Sequence, residues 1–239
     1  PEETRRRYLE FIKGWLGPRY AEFIGKEIQT AYLESYSEYG QNIFDRYVTF
    51  ADCWIQDEEF RDPETGAHIL RMAHYSALIA RAMGLDSDME ESLLIAAPMH
   101  DVGKLGTPDH ILLKPGRLDP DELVIMRRHA SIGHEILKDS ASPYMQLAAT
   151  IALTHHEKFD GTGYPNGLVG EDIPLIGRIV AVADVFDALT SPRPYKPAWD
   201  LDKATAFLIE GRNSHFDAVC VDALLGQWDQ VLGIRARFQ

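Results

Sequence analysis

Apolar residues recur at helical spacing along most of the chain. In the first 60 residues, pairs such as Phe11 and Trp15 fall on one face of a helix. The breakers Gly17-Pro18 and Gly40 divide this segment, which predicts three helices at about residues 3–16, 19–38 and 41–59. Two interpretations stay open for the segment: a helical extension packed on the following domain, or a small sensor or partner-binding module.

The helical pattern continues after residue 60. Asp62 is suited to cap a helix whose first turn tolerates Pro63, and Gly84 is suited to end it. Further helices are predicted at about 87–101, 120–138, 143–156, 175–190, 200–210 and 217–232, with loops at 105–119 and 157–174. A short hairpin near 166–174 is the one candidate β element. The sequence therefore predicts an all-α fold, a helical bundle with a helical N-terminal extension.

Composition narrows the class of protein. The chain has 239 residues and a formal net charge of −13, which argues against a nucleic-acid partner because such binding needs a basic face. The chain has no apolar run long enough for a membrane helix. The two cysteines, Cys53 and Cys220, and the lack of a secretory segment predict reduced thiols and a cytoplasmic location. A start at Pro1 rather than methionine is expected of a fragment or a trimmed chain.

Five of the nine histidines fall, with three carboxylates, in a pattern typical of metal ligands. The eight candidates are Glu64, His68, His100, Asp101, His129, His155, His156 and Asp184. Glu64 and His68 are four residues apart and would share a helix face, and Asp184 sits in an apolar stretch where a carboxylate needs a partner. Eight ligands exceed one coordination sphere, so two or three divalent ions are predicted. Mixed histidine and carboxylate sets suit iron, manganese or zinc.

Sequence blocks around these ligands resemble the HD-GYP family, a branch of the HD phosphohydrolases. His155-His156 is followed by Gly163-Tyr164-Pro165, and His100-Asp101 is followed by Lys104. Further matching blocks lie at residues 61–68, 113–116, 183–191, 193–196 and 215–217. The resemblance covers roughly residues 58–235, and it implies a catalytic domain over 60–239 after an N-terminal segment over 1–59.

The resemblance also implies roles. Asp101 would bridge two metals, His155 and His156 would reach different ions because adjacent helical residues point about 100° apart, and Glu64 would add a third ion, with iron or manganese implied. Lys104 would assist catalysis, and the basic pair Arg193 and Lys196 would hold substrate phosphates. Two alternatives stay open for Tyr164: stacking on a substrate base, or pinning its loop.

The implied activity is hydrolysis of cyclic di-GMP to pGpG, GMP or both by a hydroxide that bridges the metals. The alternatives are a non-catalytic cyclic-dinucleotide receptor, and a phosphohydrolase for another nucleotide such as cyclic GMP-AMP or a guanosine tetraphosphate. A homodimer and an upstream sensor domain or protein partner are further possibilities.

The remaining polar residues receive plainer interpretations. Asp187 is expected to support a ligand or lie on the helix surface, and His215 is expected to be structural. His74 and His134 are predicted at the surface, and His110 in the loop before Lys114.

Overall fold

The computed structural model describes residues 66–192 and 197–238. These residues form an all-α fold, and no β-strand occurs among them. Its helices are α1 (Gly66–Ala82), α2 (Ser87–Ala96), α3 (Asp109–Leu112), α4 (Pro120–Arg127), α5 (His129–Leu137), α6 (Pro143–Thr154), α7 (Leu175–Thr190), α8 (Leu201–Glu210), α9 (Ala218–Leu225) and α10 (Trp228–Arg237). Short 3₁₀ turns follow at Ala97–Met99, Val102–Gly106 and Gly170–Asp172.

Aspartates begin four of these helices. The Asp86 carboxylate accepts from the backbone N–H of Met89 at 2.8 Å, and Asp200 does the same for α8. Asp119 forms a reciprocal capping box with Glu122 at the start of α4. A carboxylate suits these positions because it satisfies backbone donors that have no partner within the helix.

The core lies around α1, which packs against α2, α7, α9 and α10. Most of its apolar side chains recur at helical spacing and are buried, as are most of those of α7, which also packs on α6. The largest of these side chains are Ile69, Met72, Tyr75, Ile79, Ile179 and Phe186. Because α1, α6 and α7 carry or immediately precede predicted ligands, the same packing that forms the core brings those ligands together.

Several predicted boundaries need correction. The helix predicted over 87–101 ends at Ala96 and tightens into a 3₁₀ turn, and that over 120–138 divides at Arg128. The helix predicted over 217–232 also divides, between Leu225 and Trp228, where Gln227 leaves helical geometry. Apolar periodicity continues across each break, so it could not reveal them.

The loop predictions were also incomplete. The segment over 105–119 contains the short helix α3. No hairpin forms over 166–174; within this described segment, the extended contact is an isolated bridge from Asp160 to Val169. The helix over 175–190 has the predicted bounds. The helices predicted over 3–16, 19–38 and 41–59, the capping of α1 by Asp62, and Cys53 lie outside the described residues.

One glycine sets the spacing between two ligand-bearing segments. Gly103 lies two residues after Asp101, and a Cβ atom there would collide with the backbone carbonyl of His129 and the backbone nitrogen of Gly133. Only the absence of a side chain allows the 3₁₀ turn to lie so close to α5. Gly103 therefore permits the approach of Asp101 to His129.

Candidate metal centre

The structure brings seven of the eight predicted ligands into two adjoining groups. The first group contains Asp101, His129, His155 and His156, and the second contains His68, His100 and Asp184. Within each group the candidate ligand atoms lie within 4.8 Å of one another. The eighth candidate, Glu64, lies outside the described residues, as do the predicted phosphate-binding residues Arg193 and Lys196.

The histidines are oriented with Nδ1 toward the protein and Nε2 toward the centre. Nδ1 of His129 lies 2.8 Å from the Met126 carbonyl, and Nδ1 of His100 lies 3.1 Å from the Ala97 carbonyl. Nδ1 of His155 lies 3.1 Å from the carbonyls of Ile151 and Ala152. A carbonyl can only accept, so Nδ1 carries the proton and Nε2 keeps its lone pair for a metal.

Two of these Nε2 atoms show why a cation fits. Within the described ranges, Nε2 of His129 and of His155 is buried without a hydrogen-bond donor, since the Asp101 Oδ1 that faces both atoms is itself an acceptor. A buried polar atom without a partner is costly in a folded protein. A divalent ion would remove this cost, so the donor set fits the metal centre predicted from the sequence.

Asp101 lies between the two groups. Its Oδ1 is 3.1 Å from Nε2 of His129 and 3.5 Å from that of His155, while its Oδ2 is 3.2 Å from Nε2 of His100. Lys104 Nζ approaches Oδ2 at 2.8 Å, one 3₁₀ turn further along the chain. Burial raises the pKa of Asp101, but Lys104 and His100 outweigh burial and hold the pKa well below its usual range. The carboxylate is therefore ionised, with one oxygen facing each group.

The predicted division of His155 and His156 between different ions is not what the geometry favours. Both belong to the first group, with ring centroids 3.9 Å apart. The reason is that α6 ends at Thr154, so His156 lies in a turn and the helical rotation of 100° per residue does not apply. Burial lowers the pKa of both imidazoles, which keeps them neutral and able to bind a metal.

Asp184 and His68 meet across α7 and α1. His68 Nε2 lies 3.5 Å from Asp184 Oδ1, and His68 Nδ1 lies 2.7 Å from Asp187 Oδ2. Asp187 is fully buried, so the alternative that placed it on the helix surface is wrong. It contacts a candidate ligand instead.

Tyr164 lies beside the first group. Its ring stacks on that of His156 with centroids 4.7 Å apart and planes 28° apart, and the Arg127 guanidinium carbon lies 5.1 Å from the ring centroid. Its backbone N–H donates to the His156 carbonyl at 3.2 Å. These contacts favour the role of pinning the loop over that of a free surface for a base.

Glu157 holds the other side of this loop, and sequence reasoning missed it. The carboxylate is buried and accepts from the backbone N–H groups of Asn166 at 2.7 Å and Leu168 at 3.1 Å. Gly163 passes so close to the backbone of Glu157 and Lys158 that a Cβ atom there would collide with it. An acidic residue directly after two ligand histidines, before a glycine-rich loop, was the available signal.

The other histidines lie away from the centre. His215 stacks on Phe216 with centroids 4.1 Å apart, and its carbonyl accepts from the Phe159 backbone, which fits the structural role predicted for it. His110 is exposed. His74 and His134 are only partly exposed, because His74 stacks on Phe238 and His134 bonds the Ala149 carbonyl, so the surface prediction for these two was too simple.

Among the residues that the structure describes, no helix is both long enough and apolar enough to cross a bilayer.

Cys220 is a buried free thiol whose pKa is raised by burial to about 12.

Comparison with known proteins gives two different results for the two ends of the chain. The family model described as HD domain matches residues 55–219. The model described as PrkA serine protein kinase C-terminal domain matches residues 1–75. The serine/threonine kinase YeaG of Escherichia coli is 80% identical to this chain over 66 residues, which are 28% of the chain and 10% of the kinase.

The longer matches are to bacterial phosphodiesterases. The cyclic di-GMP phosphodiesterase response regulator RpfG of Xanthomonas campestris is 52% identical over 178 residues, covering 73% of this chain and 47% of RpfG. The 3'3'-cGAMP-specific phosphodiesterase 2 of Vibrio cholerae is 48% identical over 178 residues, covering 74% of this chain and 34% of that protein. The chain thus spans less than half the length of either relative.

A solved structure has the same fold. The crystal structure of a cyclic GMP-AMP specific phosphodiesterase of V. cholerae superposes with a TM-score of 0.54 at 16% identity, covering 74% of this chain and 47% of that one. The sequence motifs, the helical fold and the family match agree, and the chain belongs to the HD-domain family, within its HD-GYP branch.

Proposed function

We propose that this chain is a metal-dependent phosphodiesterase that hydrolyses cyclic di-GMP to pGpG, GMP or both. The observation that carries the proposal is the pair of adjoining ligand groups with the ionised Asp101 between them. Two metals held close together are suited to phosphate-ester hydrolysis. The relative named as a cyclic di-GMP phosphodiesterase supports the choice of substrate.

Bound divalent ions would supply an activated water and stabilise the charge that develops on the phosphoryl oxygens. The residues of the chain do the rest. Asp101 faces both groups and fixes their separation, and the four histidines with Nδ1 partners hold their rings in one tautomer. In the reaction, water adds to phosphorus and the P–O bond to the ribose oxygen breaks, leaving a hydroxyl.

Lys104 is the described cation best placed to meet the substrate. It is partly exposed and lies 2.8 Å from Asp101 Oδ2, so its ammonium group can reach a phosphate oxygen that approaches the centre. Arg193 and Lys196 are proposed to bind the outer phosphate oxygens, as the resemblance implies. Arginine offers a planar fork for two such oxygens and lysine a point charge.

Iron and manganese are the proposed metals, because the ligand set mixes imidazoles with a few carboxylates. Seven described candidates account for two ions, and Glu64 is proposed to contribute to a third. No similar argument supports the receptor alternative, since the predicted ligands that the structure describes all lie in the two groups.

A second substrate has support of its own. A relative with 48% identity is named as specific for 3'3'-cGAMP. The substrate test therefore incubates the protein, loaded separately with Fe²⁺ or Mn²⁺, with cyclic di-GMP and with 3'3'-cGAMP, and follows the products by chromatography. Faster turnover of cyclic di-GMP is expected; faster turnover of 3'3'-cGAMP would reassign the substrate, and no turnover of either would contradict the enzymatic proposal.

The N-terminal segment, residues 1–59, is proposed to be a module separate from the catalytic domain over 60–239. Its support is the match of residues 1–75 to the PrkA kinase C-terminal domain, which overlaps the HD match at 55–75 alone. A cytoplasmic location and a homodimer are proposed together with this arrangement, and size-exclusion chromatography with light scattering would measure the oligomer.

A further inference from the structure

Asp187 is a fully buried carboxylate that contacts four donor atoms. Its Oδ2 lies 2.7 Å from His68 Nδ1 and accepts from Arg71 Nη2 at 2.9 Å and Ser191 Oγ at 3.0 Å, and its Oδ1 accepts from Arg71 Nε at 2.7 Å. An ionised carboxylate is stable in such a place only when it is paired and hydrogen-bonded. Arg71 supplies that pairing through two of its guanidinium nitrogens.

This arrangement distinguishes His68 from the other candidate ligands. The Nδ1 atoms of His100, His129 and His155 contact backbone carbonyls, which belong to helical turns and are fixed by the fold. Among the four candidate ligands with described Nδ1 contacts, His68 is the one whose acceptor is a side chain. Its orientation therefore depends on other side chains remaining in place.

Arg71 is itself held from two directions. Its Nη1 donates to the carbonyl of Phe238 at 2.6 Å, and its Nη2 donates to Ser191 Oγ at 2.8 Å. Arg235 on α10 donates to the Thr190 carbonyl at the end of α7 at 2.8 Å. The end of α10 is thus connected to the second ligand group through one arginine and one aspartate.

We propose that Asp187 and Arg71 are positioning residues for the metal bound by His68, His100 and Asp184. Asp187 keeps the proton of His68 on Nδ1 and aims Nε2 at the ion, and Arg71 holds Asp187 through two nitrogens and connects it to the end of α10. The inference rests on the proposed function only in that both need metals. It predicts a selective effect, on the ion of this group and not on the ion of the group around His129.

The test measures metal binding rather than hydrolysis. Apo protein is titrated with Mn²⁺ by calorimetry, and electron paramagnetic resonance reports whether the bound ions form a coupled pair or a single centre. In Arg71→Lys the charge remains, but the two-nitrogen contact with Asp187 is lost. Removing such support of a ligand costs about tenfold to a hundredfold in metal affinity, and this loss is expected for one ion while the other binds unchanged.

A matched control comes from a second, partly buried arginine–aspartate pair in the same helix bundle. Arg178 Nη1 on α7 donates to Asp217 Oδ2 at 2.6 Å, and neither residue contacts a candidate metal ligand. Arg178→Lys should lower thermal stability to a similar extent but leave both affinities unchanged.

Asp187→Asn is the second variant, and ¹⁵N-histidine spectra of Zn²⁺-loaded protein should show loss of the protected His68 Nδ1 proton.

Three outcomes would overturn the proposal: unchanged affinity for both ions in Arg71→Lys, equal weakening of both ions, or equal weakening in Arg178→Lys. If Asp187→Asn does not fold, Arg71→Lys alone decides. A wild-type protein that binds two ions but hydrolyses neither dinucleotide would contradict the proposed function and leave this inference standing. A wild-type protein that binds fewer than two ions would contradict both.

Discussion

The two ligand groups differ in what holds them in place. The group around His129 is supported by backbone: carbonyls fix the rings of His129 and His155, and the loop at Tyr164 covers His156. In the other group His100 also contacts a backbone carbonyl, but His68 depends on a buried network of side chains centred on Asp187. Backbone support follows from the helices themselves, whereas side-chain support can be lost by one substitution. The two halves of one centre should therefore respond differently to mutation.

Asp101 belongs to both halves, so its loss should have the largest effect. Asp101→Ala is expected to abolish hydrolysis and to reduce metal content together, because one carboxylate faces both groups. Elemental analysis and turnover of cyclic di-GMP measure the two effects. Asp139→Ala, which removes an exposed carboxylate two residues after α5, is the control and should change neither. Full metal and full rate in Asp101→Ala would refute the shared role.

Gly163→Ala should damage the first group selectively. The new methyl group would collide with the backbone at Glu157 and Lys158, and so displace the ring of Tyr164 from His156. Overpacking of this kind costs about 1–3 kcal/mol of stability, and loss of one ion by elemental analysis is expected with it. Gly233→Ala on α10, where no atom lies within 4 Å of the added Cβ, is the matched control. Unchanged metal content and melting temperature in Gly163→Ala would contradict this account of the loop.

Arg193→Ala should leave the metals of both groups bound but weaken the binding or turnover of the substrate. A guanidinium is too basic to bind a metal, so its proposed partner is a phosphate. Loss of a bidentate charged contact of roughly 1.5–3 kcal/mol predicts a decrease of about tenfold to a hundredfold in kcat/KM for cyclic di-GMP. Steady-state kinetics with parallel metal analysis would measure it. An unchanged kcat/KM would remove Arg193 from the site.

Glu64→Ala should leave the ions of both groups in place and remove a third ion. Seven other ligands remain for two ions, so we expect one ion to be lost and two to be retained. Metal analysis of protein purified without chelator would count them. If all metal is lost, or if none is, Glu64 does not contribute to a separate third site.

The smallest expected effect concerns His215, whose backbone carbonyl accepts a hydrogen bond from Phe159 in the loop after His156. Burial, with a smaller contribution from Lys158, lowers the pKa of His215 from 6.5 to about 4. His215 is therefore protonated near pH 6.5 in the unfolded chain but only near pH 4 in the folded chain. The stability that this residue contributes is present above pH 6.5 and is lost as the pH falls toward 4. The melting temperature of His215→Gln should fall less over this range than that of the wild type.

His110→Gln, at an exposed position on α3, is the control for that measurement and should follow the wild-type curve. Identical pH dependence in His215→Gln and wild type would show that His215 is not held neutral by the fold. The metal groups should be unaffected at neutral pH in both variants.

Some of this centre could be predicted from the sequence because its ligands occur in motifs with fixed spacing. His100-Asp101 and the doubled His155-His156 were identified from those motifs, and α7 was predicted to its bounds. The partition of ligands was not predictable, because it depends on where α6 ends. Helical periodicity favoured separate ions for His155 and His156, but the helix ends two residues earlier than predicted, and both histidines then fall in one group.

The supporting residues were harder to predict for a different reason. Arg71 and Asp187 are 116 residues apart, and their pairing exists only after α1 and α7 pack together. Nothing local in sequence distinguishes Arg71 from an arginine on a solvated helix face. Glu157 and Arg127 were likewise missed, because their contacts cross a loop whose path periodicity does not describe.

The way α6 ends has an electrostatic consequence. The peptide dipoles of its twelve residues add along the axis, and the partial negative charge of a helix C-terminus then lies directly beside His155. Such a field attracts a cation before any ligand bond forms, and it does so without adding a carboxylate. The helix would therefore contribute twice to metal binding, through the histidine at its end and through the field along its axis. Part of the metal affinity proposed for the first group would then depend on an intact helix, including residues that do not contact the ion.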